Sequence, residues 1–191
     1  MADTAHKSMT IEEFFVWQQS QEDRYELVEG MAVKLMTGAS EVHDRVVTNL
    51  IVAFGIQLRG GSCRPATADL AVRTRIRSLR RADVLVTCDH DPPRADSYEA
   101  RNPRLVVEVL SPSNTGASWQ RKLEEYRRLA GLTYILLVDT EVEQVVFIYR
   151  VGESWDHEVF DGRDGIIELP DIGCRLALAD IYEGLTLRLD D

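Results

Sequence analysis

Cysteine is scarce in this chain of 191 residues: Cys63, Cys88 and Cys174 are odd in number, far apart and outside any CxxC pair. On that count neither a disulfide scaffold nor a zinc site is expected, and a reducing, cytoplasmic setting is the natural one. Long apolar runs are missing as well. No stretch approaches the roughly 18 apolar residues that read as a membrane span, and the opening MADTAHKSM leads into no apolar signal region. No linker, internal repeat or low-complexity tract divides the chain, so one domain is expected over residues 10–185, with 1–9 as a loose arm. Positive charge is in deficit: 22 Lys and Arg against 32 Asp and Glu leave a formal charge of -10. That balance argues against a protein that coats nucleic acid through bulk electrostatics.

What is present is an ordinary core composition, 45% hydrophobic, and an uneven distribution of charge. Arg59, Arg64, Arg73, Arg75, Arg77, Arg80 and Arg81 crowd into one segment, while much of the acid lies before residue 45 and after residue 139. A local positive stripe on a negative body would dock a phosphate backbone in one place only.

The pattern of elements points to an α/β fold. Thr10 and Glu13 form a capping box ahead of FFVW, which predicts a short helix to about Gln19. YELVEG and MAVKLM read as a hairpin turning at Glu29-Gly30. Val47, Leu50, Ile51, Phe54 and Leu58 recur at helical spacing over about 40–58, and Gly60-Gly61 ends that helix. ADLAVRTRI, 68–76, reads as a strand that emerges into a basic loop. Two apolar strands follow at 82–86 and 104–110, separated by a polar connection with Asp91-Pro92-Pro93 and Asn102-Pro103. A helix is expected over about 118–130, capped by Ser118 and stopped at Gly131, with Arg121-Glu125 and Glu124-Arg128 pairs on a solvated flank. TYILLVD and QVVFIYR are strong strands, antiparallel neighbours, and shorter strands near 155–160 and 165–168 precede the helical ALADIYEG. The sum is a mixed central β-sheet flanked by helices, with an N-terminal helix and hairpin.

Two residues in this pattern are out of place. Asp83 lies in ADVLV and Glu108 in RLVVEVL, and burying an unpaired carboxylate costs several kcal/mol, on the order of the penalty for any unsatisfied buried charge. If the two strands are adjacent, both carboxylates can share one cleft, and a bound Mg²⁺ ion would relieve their repulsion. The backbone carbonyl of Val109 could complete the oxygen set. On the following helix Lys122 and Tyr126 lie one turn apart on one face, with Trp119 near it. A lysine beside a cation and a scissile phosphate can orient the nucleophile and offset developing negative charge.

DRYELVEGMAV, VRTRIRSLRRADVLV, PRLVVEVLSPSNT and WQRKLEEYRRLAGLTYILLVDT together resemble the small stand-alone "putative restriction endonuclease" family, abundant in cyanobacteria, of the PD-(D/E)XK nuclease superfamily. The resemblance spans about residues 10–185. It implies a restriction-endonuclease-like core, a Mg²⁺-dependent endonuclease activity on DNA with Mn²⁺ as a substitute, and a homodimer that addresses two strands. Carried over residue by residue, Asp83 matches the metal-binding aspartate, Glu108 the acid of the next core strand, and Lys122 a lysine that has moved from strand to helix. Glu26 matches a further acid and His43 a histidine of the helix behind the site. Two positions depart from the superfamily signature: Ala82 stands where proline precedes the aspartate, and Leu110 is apolar where other members place the lysine. Gln120 is an alternative polar partner should the helix register differ. Arg73, Arg75, Arg77, Arg80 and Arg81 are the expected substrate contacts.

Each residue also has a plainer role. Asp83 could accept backbone N–H bonds at a strand end, Glu108 could pair with an arginine, and Lys122 could snorkel from an amphipathic helix. Glu26 could be a solvated edge residue, His43 a core histidine, Tyr126 packing, and the arginine run a solvated loop. At the level of function, a nuclease-fold protein without catalysis, serving as a DNA-binding or protein-interaction module, is the main alternative. A hydrolase of smaller phosphoesters is a third.

Overall fold

The computed structural model describes residues 8–35, 40–89, 91–92, 94–111 and 116–187. The expected arm at 1–9 therefore lies mostly outside them, as do Pro93 and Pro112. Met9 is not loose, since its N–H donates to the Gly30 carbonyl at 2.8 Å.

Helix α1 (Ile11–Gln18) begins at the capping box, with Thr10 and Glu13 each satisfying the other's backbone N–H. Strands β1 (Tyr25–Val28) and β2 (Met31–Lys34) form the expected hairpin. Its turn residues Glu29 and Gly30 have φ values of 51° and 86°, the left-handed geometry that matches the twist of the flanking strands. Gly30 has a second constraint: a Cβ there would meet the Arg77 guanidinium at 2.7 Å. Helix α2 (Glu41–Gln57), capped by Ser40, buries Val46, Leu50 and Phe54. Val47 and Ile51 are only half-buried against the same core, so the inward face is turned slightly from the expected one.

The arginine-rich segment holds more structure than its sequence announces. Strand β3 (Cys63–Thr67) was not anticipated, because Arg64-Pro65 interrupts any strand pattern. Pro65 is tolerated there because β3 is an edge strand, where a missing N–H costs little. The single strand expected over 68–76 is instead β4 (Val72–Arg75), which turns at Ile76-Arg77 and returns as β5 (Ser78–Arg80). Strand β6 (Val84–Cys88) then pairs antiparallel with β7 (Pro103–Val109).

Helix α3 (Ala117–Arg127) starts one residue before Ser118, with Gly116 as its cap at φ 86° and Arg128 as its C-cap, so neither Ser118 nor Gly131 terminates it. It carries the chain across to β8 (Tyr134–Val138), which lies parallel to β7. A parallel pair requires such a crossover, and α3 supplies it. Strand β9 (Gln144–Val151) is antiparallel to β8, as expected, and β10 (Ser154–Asp161) forms the outer edge. A further hairpin of β11 (Ile166–Leu169) and β12 (Cys174–Ala177) precedes the short helix α4 (Leu178–Ile181).

The six strands in the order β10-β9-β8-β7-β6-β3 are the central mixed sheet, and β2-β1-β5-β4 form a smaller one beside it. Period-two alternation along β6, β7 and β8 sends side chains to two separate cores. Val84, Val86, Val107, Leu136 and Val138 face α2, α4 and the β11–β12 hairpin. Leu85, Val106 and Ile135 face α3 through Tyr126, together with Val72 of β4. Ile11, Phe14, Leu27 and Leu79 close the N-terminal unit. Among the described residues no helix is long and apolar enough to cross a membrane.

One expectation from composition is overturned. Cys63 and Cys88 are joined in a disulfide, because the β3–β6 register sets them directly opposite each other. The 25 residues that separate them in sequence hid that proximity. Cys174 alone is free, and it is buried. The cysteine argument for a reducing compartment therefore falls away. Thiol titration of the unreduced, denatured protein should find one reactive cysteine, rising to three after reduction. Reduction should lower stability by about 3 kcal/mol, the loop-closure contribution of a cross-link over this separation.

Candidate active site

Asp83 sits one residue ahead of β6, and Glu108 is the penultimate residue of β7. Val84 is registered with Val107, so the next step outward sets Asp83 opposite Glu108 on the face shared with Leu85 and Val106. The two strands are adjacent, which is the condition for a shared cleft. Asp83 is further fixed by the Val109 amide, which donates to its Oδ2 at 2.8 Å. His43, near the start of α2, brings Nε2 to 3.5 Å from Asp83 Oδ1. The hydrogen bond that His43 donates to the Asp83 carboxylate raises its imidazole above the ordinary pKa, against the opposing pull of partial burial.

Glu108 is buried, and both of its oxygens are engaged. The Lys122 ammonium donates to Oε2 at 2.9 Å and the Tyr126 hydroxyl to Oε1 at 2.7 Å. One helical turn separates these two donors, so α3 presents them to one carboxylate together. Burial pushes the Glu108 carboxyl up to about 7; Lys122 draws it down and the nearby Asp83 adds to the rise. Lys122 is largely withdrawn from solvent, which by itself would depress its pKa. Glu108 and Glu26 outweigh that desolvation and hold the ammonium charged.

Glu26, on β1, lies on the other side of Lys122 at 3.2 Å. Burial opposes its ionisation, but Lys122, Arg80 and the Arg81 amide reverse the balance and hold its pKa below the usual range. The chain of alternating charge continues through Arg80, whose guanidinium reaches Glu26 Oε2 at 2.9 Å and Glu125 at 2.8 and 3.0 Å. Thr74 Oγ1 donates to Glu125 at 2.8 Å and ends the chain. Three elements of the small sheet and α3 are thus tied into the same network as the carboxylates.

The expected substrate arginines divide into two groups. Arg80 and Arg81 are interior residues: Arg80 is held by two glutamates, and Arg81 caps the carbonyls of Tyr25, Ala68 and Asp69. Neither faces solvent for a phosphate to reach. Arg73, Arg75 and Arg77 are exposed, although Arg73 forms a double hydrogen bond with Glu99 and Arg77 bonds to the Met9 carbonyl. Gln120 is exposed on α3 and is not among the residues gathered at Glu108. At Val109 the contact with the site is made by the amide, which binds Asp83.

Arg80, Thr74 and Glu125 were not expected in this network. Glu125 had the spacing of a surface partner for Arg121, yet it is fully buried. Arg121 instead lies 3.9 Å from Glu29, and Glu124 pairs with Arg127. The available signal was compositional: Glu125 follows Lys122 by three residues, on the same helical side as Tyr126, which faces the sheet.

The donor chemistry suits a hard divalent cation. Glu26, Asp83, Glu108 and Glu125 are four carboxylates against the cations of Lys122 and Arg80, so the cluster carries an excess of negative charge. Mg²⁺ binds through one or two carboxylates, with waters and substrate oxygens completing its shell. Among the described residues no group of three or more His, Cys, Asp or Glu converges on one point.

The sheet and its helices are those of a nuclease-fold protein of the PD-(D/E)XK type. The sequence matches the Uma2 family model, described as "Putative restriction endonuclease", over residues 11–179, and the chain belongs to that family. It is similar to the uncharacterized proteins slr1290 and sll1609 of Synechocystis sp. (strain ATCC 27184 / PCC 6803 / Kazusa). The first is 30% identical over 177 residues, 91% of each chain. The second is 25% identical over 150 residues, 77% of this chain and 84% of the relative. The fold is also that of a crystallised "putative nuclease belonging to DUF820" from Anabaena variabilis ATCC 29413, with a TM-score of 0.70 at 20% identity, covering 91% of this chain and 97% of that one.

Two outcomes test the electrostatics. Lys122→Met leaves Glu108 and Glu26 buried without their shared cation, and should cost about 3–5 kcal/mol. That corresponds to a melting temperature lower by roughly 6–20 °C for a domain of this size. By NMR, His43 should titrate above the ordinary histidine value of about 6.5, and Asp83→Asn should return it toward that value. The stabilisation from the His43–Asp83 pair is complete below the unfolded histidine pKa and disappears as pH rises through the raised one.

Proposed function

We propose that this protein is a divalent-metal-dependent endonuclease that hydrolyses phosphodiester bonds of DNA. The observation that carries the reading is the placement of Asp83 and Glu108 at facing ends of adjacent strands, with the Lys122 ammonium 2.9 Å from Glu108. A cation of the Mg²⁺ class, with Mn²⁺ as a substitute, would be held by Asp83, Glu108 and the Val109 carbonyl, and would supply Lewis-acid stabilisation of charge on the phosphate. The protein groups do the remainder. His43 and the Val109 amide fix the Asp83 carboxylate from two sides. Tyr126 orients Glu108. Lys122, steadied by Glu26, can position a water for in-line attack and offset the negative charge that develops. Of the arginines expected to contact phosphates, Arg73, Arg75 and Arg77 are exposed and within reach of one in this reading. A homodimer would bring two such sites to two strands.

A second reading is favoured by a specific observation. Both oxygens of Glu108 are already engaged by Lys122 and Tyr126, and two of the expected substrate arginines are buried. That arrangement also suits a nuclease-fold module that binds DNA or protein without cutting it.

Incubation of supercoiled plasmid with purified protein and Mg²⁺ or Mn²⁺ separates the two. The nuclease reading expects nicking or linearisation that EDTA abolishes and that falls at least a hundredfold in Asp83→Asn and Glu108→Gln. Cleavage should increase as pH rises from the acid side, since burial raises the Glu108 carboxyl and its proton competes with the metal. Plasmid left intact by a protein that still retards it in a gel would establish the non-catalytic module. Activity on nucleotides with none on plasmid would point to a smaller phosphoester substrate.

A further inference from the structure

The β4–β5 hairpin departs from the rules of its own geometry. Arg75 is registered with Ser78, so the turn is the pair Ile76-Arg77. Two-residue turns favour Gly or Asn at positive φ; Glu29-Gly30 obeys, whereas neither Ile76 nor Arg77 has positive φ. Ile76 is 89% exposed, the most exposed large hydrophobic side chain among the described residues. The turn is held from outside. Gly30 N–H donates to the Arg77 carbonyl at 2.8 Å, Glu29 N–H to Ser78 Oγ at 3.0 Å, and Arg77 Nε to the Met9 carbonyl at 3.3 Å. A rigidly presented isoleucine at a tip where local chemistry would select a small polar residue is a conflict of the kind that collects at functional sites.

A lone exposed isoleucine is ordinary, but the surroundings of this one are not. It stands between Arg75 and Arg77 at the rim of a groove of about 630 Å³ lined by Glu29, Arg75, Ile76, Arg77, Ser78 and Arg128. Arg121 reaches the same rim through Glu29, the single acid of that lining. Among the described residues the side chains of Arg75 and Arg128 have no ion pair. On a chain of formal charge -10, this is a localised cationic surface with an apolar point at its centre.

We propose that the β4–β5 hairpin docks on duplex DNA, with Arg75, Arg121 and Arg128 contacting phosphates and Ile76 wedging against a base step in the minor groove. Apolar wedges flanked by cationic residues are a recurring device for that groove. The span fits one duplex: the seven residues from Ile76 to Asp83 reach at most about 25 Å, less than the roughly 34 Å of one helical turn. This inference rests on the reading that DNA is the substrate, and it specifies which surface receives it.

Fluorescence anisotropy of a labelled 20-bp duplex, in EDTA to prevent cleavage, tests it against salt. Arg75→Ala/Arg128→Ala should weaken binding at least tenfold and reduce the slope of log affinity against log salt by about 2, one per lost phosphate contact. Ile76→Ala should weaken binding about threefold, leave the salt slope unchanged, and reduce DNA bending measured by energy transfer between the duplex ends. Each variant should keep the wild-type melting temperature, since these side chains are at the surface. Wild-type affinity and slope in the double variant, while wild type binds and cuts, would overturn the docking surface and leave the nuclease reading intact. Failure of wild type to bind the duplex, in EDTA and again with Ca²⁺ in its place, would overturn the docking surface, and cleavage of plasmid decides the nuclease reading separately. A shift of Ile76→Ala from dimer to monomer in sedimentation, with DNA binding unaltered, would assign the hairpin to a second copy of the chain and also overturn the proposal.

Discussion

The arrangement of this protein depends on one buried ammonium group. Lys122 sits between Glu108 of the central sheet and Glu26 of the N-terminal hairpin, and it also donates to the Arg81 carbonyl at 3.0 Å. Two buried carboxylates from different sheets could not approach this closely without a shared cation. Lys122 is thus both the joint between the two sheets and a direct partner of the Glu108 carboxylate. The same electrostatics that hold the fold together hold the site.

Arg80 extends that logic. By bridging Glu26 and Glu125, it connects β5 to β1 and to α3. Such buried ionic chains are weak contributors to net stability compared with an apolar core, but breaking one member is costly because the others are left uncompensated. They specify geometry. The position of Glu108, Lys122 and Tyr126 relative to Asp83 follows from where α3 and β5 are pinned, and three of the pins are charged.

A cluster of this composition has two stable uses. In the nuclease reading a divalent cation would offset the carboxylate charge and Lys122 would face a phosphate; in the binding-only reading Lys122 and Tyr126 serve to hold Glu108. The raised pKa of Glu108, about 7, reflects its burial, with Asp83 adding to the rise and Lys122 drawing it down. Catalysis and a binding-only role differ in which of these partners wins, and both draw on the same residues.

Much of the fold was legible from periodicity. The capping box of α1, the Glu29-Gly30 turn, the apolar β7 and β8 and the crossover helix follow from local rules that tertiary structure respects. Asp83 and Glu108 were conspicuous as carboxylates in apolar strands, but that the two strands are neighbours came only with the fold. Strand β3 was not legible: Pro65 is excluded from central strands, and only its edge position admits it. The Cys63–Cys88 link, the burial of Glu125 and the withdrawal of Arg80 and Arg81 from the surface were hidden for a common reason. Each depends on a partner far away in sequence, and the residue type is compatible with both exposure and burial. Sequence alone determined which residues are ionisable and where most of the strands and helices lie, since backbone propensity and side-chain alternation act over a few positions. Tertiary structure alone decided which charges meet, because the energy of an ion depends on the partners and water that the completed fold leaves within reach of it.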